Sequence, residues 1–333
     1  MRKLINDPAD FVDQVLAGIE LAHAGRLRRP AGEPGAIVRA DTDFAGRVTV
    51  ATGGGSGHLP LFLGYVGPGL ADGCAVGQVF ASPSTDQMLA VTRAIDGGRG
   101  VLYLYGNYSG DRMNFELAAE LARAEGIDVE SAVAADDVAS APPGRAQSRR
   151  GIAGIYFAYR VAGAVASSGA DLASVAAATR LAIARTRSMG VALAPCVLPA
   201  VGHANFEIPE GTIEVGMGIH GEPGVGQEPL READAVVDDL VDRLLADAPA
   251  DAGDRVAVLV NGLGATCLEE LYIVYRRVHE RLAGAGLSVV HRSVGEYATS
   301  LEMAGASVSL LFLDDELARL VESPASSPLV LVP

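Results

Sequence analysis

The sequence has no tryptophan, only 5% aromatic residues, three cysteines, and 26 Lys+Arg against 41 Asp+Glu in 333 residues. Each shortage excludes something. Cys74, Cys196 and Cys267 are odd in number and scattered without CxxC spacing, which argues against a disulfide framework and fits a reducing cytoplasm. A formal charge of −15 supplies no positive field for phosphate backbones or anionic lipids, so nucleic acid and membranes are not expected partners. No run approaches the roughly 18 apolar residues of a membrane span, and the first residues lack an apolar core of signal-peptide length. A soluble, unprocessed, cytoplasmic protein is expected. HExxH and clustered His spacings are absent too, so no metal site is expected.

What the sequence has is glycine, 40 residues of it, with short β-branched runs alternating with longer amphipathic ones. That is the pattern of a layered α/β protein, and the length suggests two α/β domains with Gly-rich loops at strand ends. Asp7 before Pro8 reads as a cap opening a helix through Phe11, Leu16 and Ile19. Residues 47–52 read as a strand entering the glycine run at 53–57, where the backbone is expected to leave the sheet. A second strand over 100–105 turns through Gly106 to Asp111 into a helix over 113–125. The break at Pro142-Pro143-Gly144 precedes two Ala-rich helices, about 150–167 and 171–187, and the boundary is placed after them: domains 1–187 and 188–333. Beyond lie strands at 212–217, 254–260, 288–292 and 307–311 and helices at 267–283 and 314–321. In such sheets ligands bind beyond the carboxyl ends of the strands, where these loops gather.

The glycine run could cradle a phosphate with its backbone N–H groups or be a tight turn, and it matches neither a Walker loop nor GxGxxG. His58 ends it, placed to reach a small ligand as a base or acceptor, or to bond a backbone carbonyl. His220 repeats the arrangement between Gly218 and Gly221, with Glu222 and Pro223 fixing the turn. Two loops of one design suggest two sides of one site, and a neutral imidazole there is a competent nucleophile towards a reactive carbonyl. Asp111 could be a base or a helix cap. Asn261 and Glu296 read as turn residues, the His at 23, 203, 279 and 291 as surface or helix-end residues, and Arg149-Arg150 and Arg276-Arg277 as solvated helix faces.

The stretches TGGGSGHLP (52–60), NYSGDRMNFELAAELA (107–122), RSMGVALAPC (187–196), GMGIHGEPG (216–224), LVNGLGATCLEELYIVYRRV (259–278) and VGEYATSLEMAG (294–305) together resemble the dihydroxyacetone kinase substrate-binding subunit, the K subunit or K domain. The resemblance spans nearly the whole chain in the family's order. It implies a two-domain α/β protein, usually a homodimer, that holds a short ketose while a separate subunit phosphorylates it. His220 would attack the ketone carbon and hold the substrate as a hemiaminal. Covalent capture orients a ligand with few other handles and discriminates against polyols. Asp111 and His58 would contact substrate hydroxyls and assist proton removal, and Gly55, Ser56 and Gly57 would approach through backbone groups, making the glycine run a ketose loop.

The same resemblance implies that this chain binds no nucleotide. An L-type partner would carry ATP with magnesium, or ADP rephosphorylated from phosphoenolpyruvate through an M-type phosphotransferase subunit. The family's other outcome is a non-catalytic ketose-sensing coactivator. Two positions depart from the family pattern. Leu59 stands where GGGSGHEP has Glu, and Gly106 stands where a Lys usually precedes Asn107. Losing that Lys is expected to remove a charged contact and open volume beside Asp111, admitting a four-carbon ketose such as erythrulose.

Overall fold

In a computed structural model that describes residues 3–330, two six-stranded sheets share a layer of helices. The chain enters through a short 3-10 turn at Pro8–Asp10, where the Asp7 carboxylate accepts the Ala9 N–H, and continues into α1 (Phe11–Ala22). The first sheet follows. β1 (Leu27–Arg28) and β2 (Ala36–Arg39) form an antiparallel edge, and β3 (Thr49–Ser56), β4 (Gly73–Val79), β5 (Val101–Gly106) and β6 (Val129–Ala134) run parallel in the order β4-β3-β5-β6. Helices α2 (Thr85–Ile95), opened by a Ser84/Gln87 capping box, and α3 (Ser109–Ala124) cross between them.

After α4 (Ile155–Ser167) and α5 (Leu172–Ala184) the chain builds the second sheet from β7 (Thr186–Ala194), β8 (Thr212–Val215), β9 (Gly226–Pro229), β10 (Arg255–Gly262), β11 (Ser288–Gly295) and β12 (Ala304–Phe312). Its order is β11-β10-β12-β7-β8-β9, antiparallel except for the β10/β11 pair. Helices α6 (Ala233–Ala246) and α7 (Leu268–Gly284) cover its outer face, and α8 (Asp315–Val321) closes the chain against α4.

The strand pleat explains the layering. On β5, Val101, Tyr103 and Tyr105 face α2 and α3, while Leu102 and Leu104 face the central helices. On β10, Val256, Val258 and Val260 face α6 and α7, while Ala257 and Leu259 join the same central cluster. Helix α4 therefore lies between two sheets, and its residues from Ile155 to Gly163 are all buried. A helix so largely apolar is stable in such a place, and its one charged residue, Arg160, is bonded to the Val321 carbonyl.

Several expectations change. The glycine run does not leave the sheet: Gly53, Gly54 and Gly55 pair with Ala75, Val76 and Gly77, so an anion nest does not form. A Cβ at Gly54 would lie 2.2 Å from the Phe62 ring, so the missing side chain is what lets Phe62 pack on the strand. The helix expected from 150 begins at Ile155, because the Asp136 carboxylate takes the N–H groups of Ile152 and Gly154 at 3.0 and 2.9 Å. Arg149 and Arg150 are not solvated. Arg149 is 1% exposed and holds Asp247 with two bonds of 2.8 and 2.6 Å, and Arg150 bonds Asp137. His291 is likewise buried, beside Tyr156 and Ser293. The Arg276-Arg277 reading stands, the pair meeting Asp234, Asp238 and Glu280 on the α6–α7 surface.

Gly54→Ala is expected to cost about 1–3 kcal/mol through overpacking against Phe62. The check is a lower Tm in calorimetry, with part of the loss recovered when Phe62→Leu is added.

Candidate functional site

The carboxyl ends of β3 and β5 in the first sheet meet loops of the second, and the expected residues converge there. Leaving β3, the chain turns at Gly57 and buries His58 to 1% exposure. Its Nδ1 lies 2.8 Å from the carbonyl of Thr299, a residue after β11. A carbonyl only accepts, so Nδ1 carries the proton and Nε2 keeps its lone pair. That Nε2 is buried without a partner. The ring stacks on Phe80, with centroids 4.8 Å apart and planes at 13°. Burial, reinforced by the charge of His220, lowers the His58 pKa to about 3. It is a neutral acceptor at physiological pH.

His220 sits on the loop between β8 and β9, and its ring meets that of His58 edge-on with centroids 4.7 Å apart. Glu222 grips it twice: one carboxylate oxygen lies 2.9 Å from Nδ1 and the other accepts the His220 backbone N–H at 3.0 Å. Burial works against the charge of Glu222, but these bonds, with the charge of His220, outweigh it and hold the carboxyl at about 2. In the neutral ring, donation from Nδ1 to Glu222 leaves the lone pair on Nε2. Asn205 donates to the His220 carbonyl at 3.1 Å, crowding Gly221 so closely that a Cβ there would meet its amide nitrogen at 2.5 Å; Gly221 also has φ +87°. Glycine suits the position on both counts.

Asp111 lies in the first turn of α3, but it is not the cap; that place belongs to Tyr108. It is 4% exposed, its Oδ1 is buried without a partner, and burial raises its pKa to about 6 against the opposing bond from Ser82. Among the described residues six side-chain polar atoms are buried and unpaired, and four of them, on His58, Asp111, Tyr108 and Asn205, belong to this cluster. Such atoms are costly unless a ligand satisfies them. Their concentration around His220 points to a small, polyhydroxylated occupant.

The remaining expected residues divide. Gly55 lies on the strand against the backbone of Phe80 and Ala81, and Gly57 lies under the Phe80 ring. The Ser56 hydroxyl donates to Gly77 at 2.8 Å and is committed to the sheet. Gly106 does not simply open volume: a Cβ there would lie 3.2 Å from the Tyr108 ring, which crosses the position and meets His220 edge-on at 4.7 Å. Asn261 is structural. Its Oδ1 accepts the N–H groups of Tyr297 and Ala298, and its Nδ2 bonds Ser307. Reading the sequence missed Phe80, Tyr108, Asn205 and Thr299, which reach the site only through tertiary packing, and took Glu222 for a turn residue when it is the clamp on His220. Among the described residues no metal-binding cluster of His, Cys, Asp and Glu occurs, and no helix is long and apolar enough to cross a membrane.

Residues 17–329 match the Dak1 domain. The chain is 46% identical to a D-erythrulose kinase of Mycolicibacterium smegmatis over 98% of its own length and 56% of that protein, so it spans about half of that relative. It is 44% identical to the dihydroxyacetone-binding subunit DhaK of a PTS-dependent dihydroxyacetone kinase of Listeria innocua, over 98% of both chains. Among solved structures it resembles the dihydroxyacetone kinase operon co-activator DhaQ, with TM-score 0.87, 31% identity and coverage of 94% and 96%. It also resembles the dihydroxyacetone kinase of C. freundii in complex with AMP-PNP and Mg2+, with TM-score 0.87, 33% identity and coverage of 100% of this chain and 62% of that one.

Because the folded state raises the Asp111 pKa from 3.8 to about 6, the native form binds its proton more tightly, and this group's contribution to stability falls as pH rises from about 4 to 6. Asp111→Asn is expected to stabilise the protein at pH 7 by up to about 3 kcal/mol, read as a higher Tm that vanishes below pH 4.

Proposed function

The chain belongs to the Dak1 domain family of dihydroxyacetone kinase K subunits, and on that premise we propose that it is the ketose-binding subunit of a dihydroxyacetone-type kinase. The observation that carries this reading is the pair of imidazoles with both Nδ1 atoms engaged and both Nε2 atoms available. The lone pair of His220 Nε2 forms a C–N bond to the ketone carbon, the carbonyl π pair moves to oxygen, and that alkoxide takes a proton from solvent, leaving the ring cationic with its Nδ1 proton in place. The positive charge left on the ring faces Glu222, already ionised and in contact with Nδ1. The adduct is a hemiaminal, which glycerol cannot form because it has no carbonyl.

His58 Nε2 and Asp111 Oδ1 then receive the substrate hydroxyls, and the one whose proton they accept becomes the phosphoryl acceptor. The phosphoryl group comes from a separate nucleotide-binding partner, carrying ATP with magnesium or a rephosphorylated ADP. The AMP-PNP and Mg2+ in the C. freundii complex support the first. The expected assembly is a homodimer of this chain with an L-type subunit, served by an M-type subunit where phosphoenolpyruvate is the donor.

The substrate is a ketose of three or four carbons, and the similarity to a D-erythrulose kinase favours four. A Cβ at 106 would lie 3.2 Å from the Tyr108 ring, so Gly106→Lys crowds the ring that meets His220. Calorimetric titration with dihydroxyacetone and both erythrulose enantiomers tests the proposal. His220→Ala is expected to weaken binding by roughly 100-fold, about 2.7 kcal/mol. Gly106→Lys is expected to weaken erythrulose more than dihydroxyacetone, and equal losses would count against the four-carbon substrate.

The similarity to the co-activator DhaQ supports a second reading, in which the chain senses ketose and transfers nothing. Turnover with a purified L-type subunit separates the two, since a sensor binds ketose without yielding a phosphorylated product. For a kinase, turnover should rise with pH through about 6 as Asp111 ionises, and Asp111→Asn should abolish that limb.

A further inference from the structure

Under the glycine strand, on the side where Gly54 meets Phe62, lies a cavity of about 220 Å³. Val15 and Leu16 of α1 form one wall, Phe62 another, and Cys74 and Val76 of β4 the floor. Gly55, Ser56, Gly57 and His58 line it as well as the ketose site, so the two share a wall, but Asp111, Tyr108 and His220 do not line it. Its polar side chains are bonded within the wall. Ser56 donates to Gly77 O at 2.8 Å, Thr299 to Leu59 O at 2.8 Å, and His58 Nδ1 to Thr299 O at 2.8 Å, leaving His58 Nε2 as the exception.

Water needs two to four polar partners to be held in a cavity, and an apolar cavity of about 150 Å³ is known to stay dry and take up benzene. This one is larger and as poor in free polar groups. A ketose fits it badly, because only His58 Nε2 is free to take a hydroxyl and the others would lose their water without gaining a side-chain partner. It is also reachable. Phe11 and Val15 at its rim are half-buried and border an outer cleft with Leu4, Asn6 and Gln14, and Leu59 on the far rim is 36% exposed. An apolar rim over an apolar interior favours an occupant of the same character.

We propose that this cavity is a second ligand site, selective for an uncharged hydrocarbon-like molecule or moiety of about six to ten carbons. The site stands independently of the ketose-kinase reading, since nothing in its argument uses His220 or a phosphoryl donor. Toluene is the probe, with glycerol as polar comparator, on the full chain. Toluene is expected to raise Tm in a concentration-dependent way while glycerol at equal concentration does not. Cys74→Met and Val76→Leu each fill the floor and are expected to weaken toluene binding by about tenfold or more while ketose affinity is retained. Xenon-pressurised crystals of the unaltered chain place the atom directly and need no variant to fold. No rise in Tm with toluene, xenon seated elsewhere, or toluene binding unchanged in variants that melt cooperatively would each overturn the proposal.

Discussion

Helix α4 is buried on every side because it packs against both sheets, and that shared layer brings the carboxyl ends of β3 and β5 to face the loops of the second sheet. Two separate sheets with their own helices could drift relative to one another. Here they cannot, since Leu102 and Leu104 of one and Ala257 and Leu259 of the other belong to a single apolar cluster with α4 between them. Outside the core the same union is made by charge: Arg149, which precedes α4, grips Asp247 at the end of α6. A buried guanidinium held by two bonds to one carboxylate is directional, so it sets orientation as well as proximity.

On that frame the chemistry reduces to the placement of protons. His58 gives its Nδ1 proton to a backbone carbonyl and His220 gives its own to a carboxylate, and the difference matters. The carbonyl only orients its ring, whereas Glu222 both orients its ring and offers a compensating charge when the ring becomes cationic. The two imidazoles thus share a tautomer but differ in the partner that holds it. Phe80 and Tyr108 wall the pair with aromatic surface, which lowers the local dielectric and strengthens each of these interactions.

The layered α/β class, the helices with strong periodicity and the two glycine-flanked histidines were legible in the sequence, because period and glycine spacing are local signals, whereas spacing left Asp111 between base and cap and only the family resemblance gave it a role. What was not legible has a common cause. The glycine run reads as a loop until β4 is known to lie beside it; the Arg149-Arg150 pair reads as solvated until Asp137 and Asp247 arrive from distant segments. Phe80 and Asn205 carry no motif, and Tyr108, though inside the 107–122 stretch, has no local signal of its own, so only tertiary contact reveals them. Gly106 is the instructive case. A missing side chain reads as empty space in one dimension, yet in three the neighbouring Tyr108 has taken it.

The bond from His58 to Thr299 joins residues 241 positions apart and crosses from one sheet to the other. Closing so long a loop costs conformational entropy before the contact is made, and a topology rich in such contacts folds more slowly. Neither half of the chain, folded alone, would contain the whole site, since His58, Phe80, Tyr108 and Asp111 come from the first and Asn205, His220 and Glu222 from the second. A ligand touching residues from both halves would therefore report on their assembly.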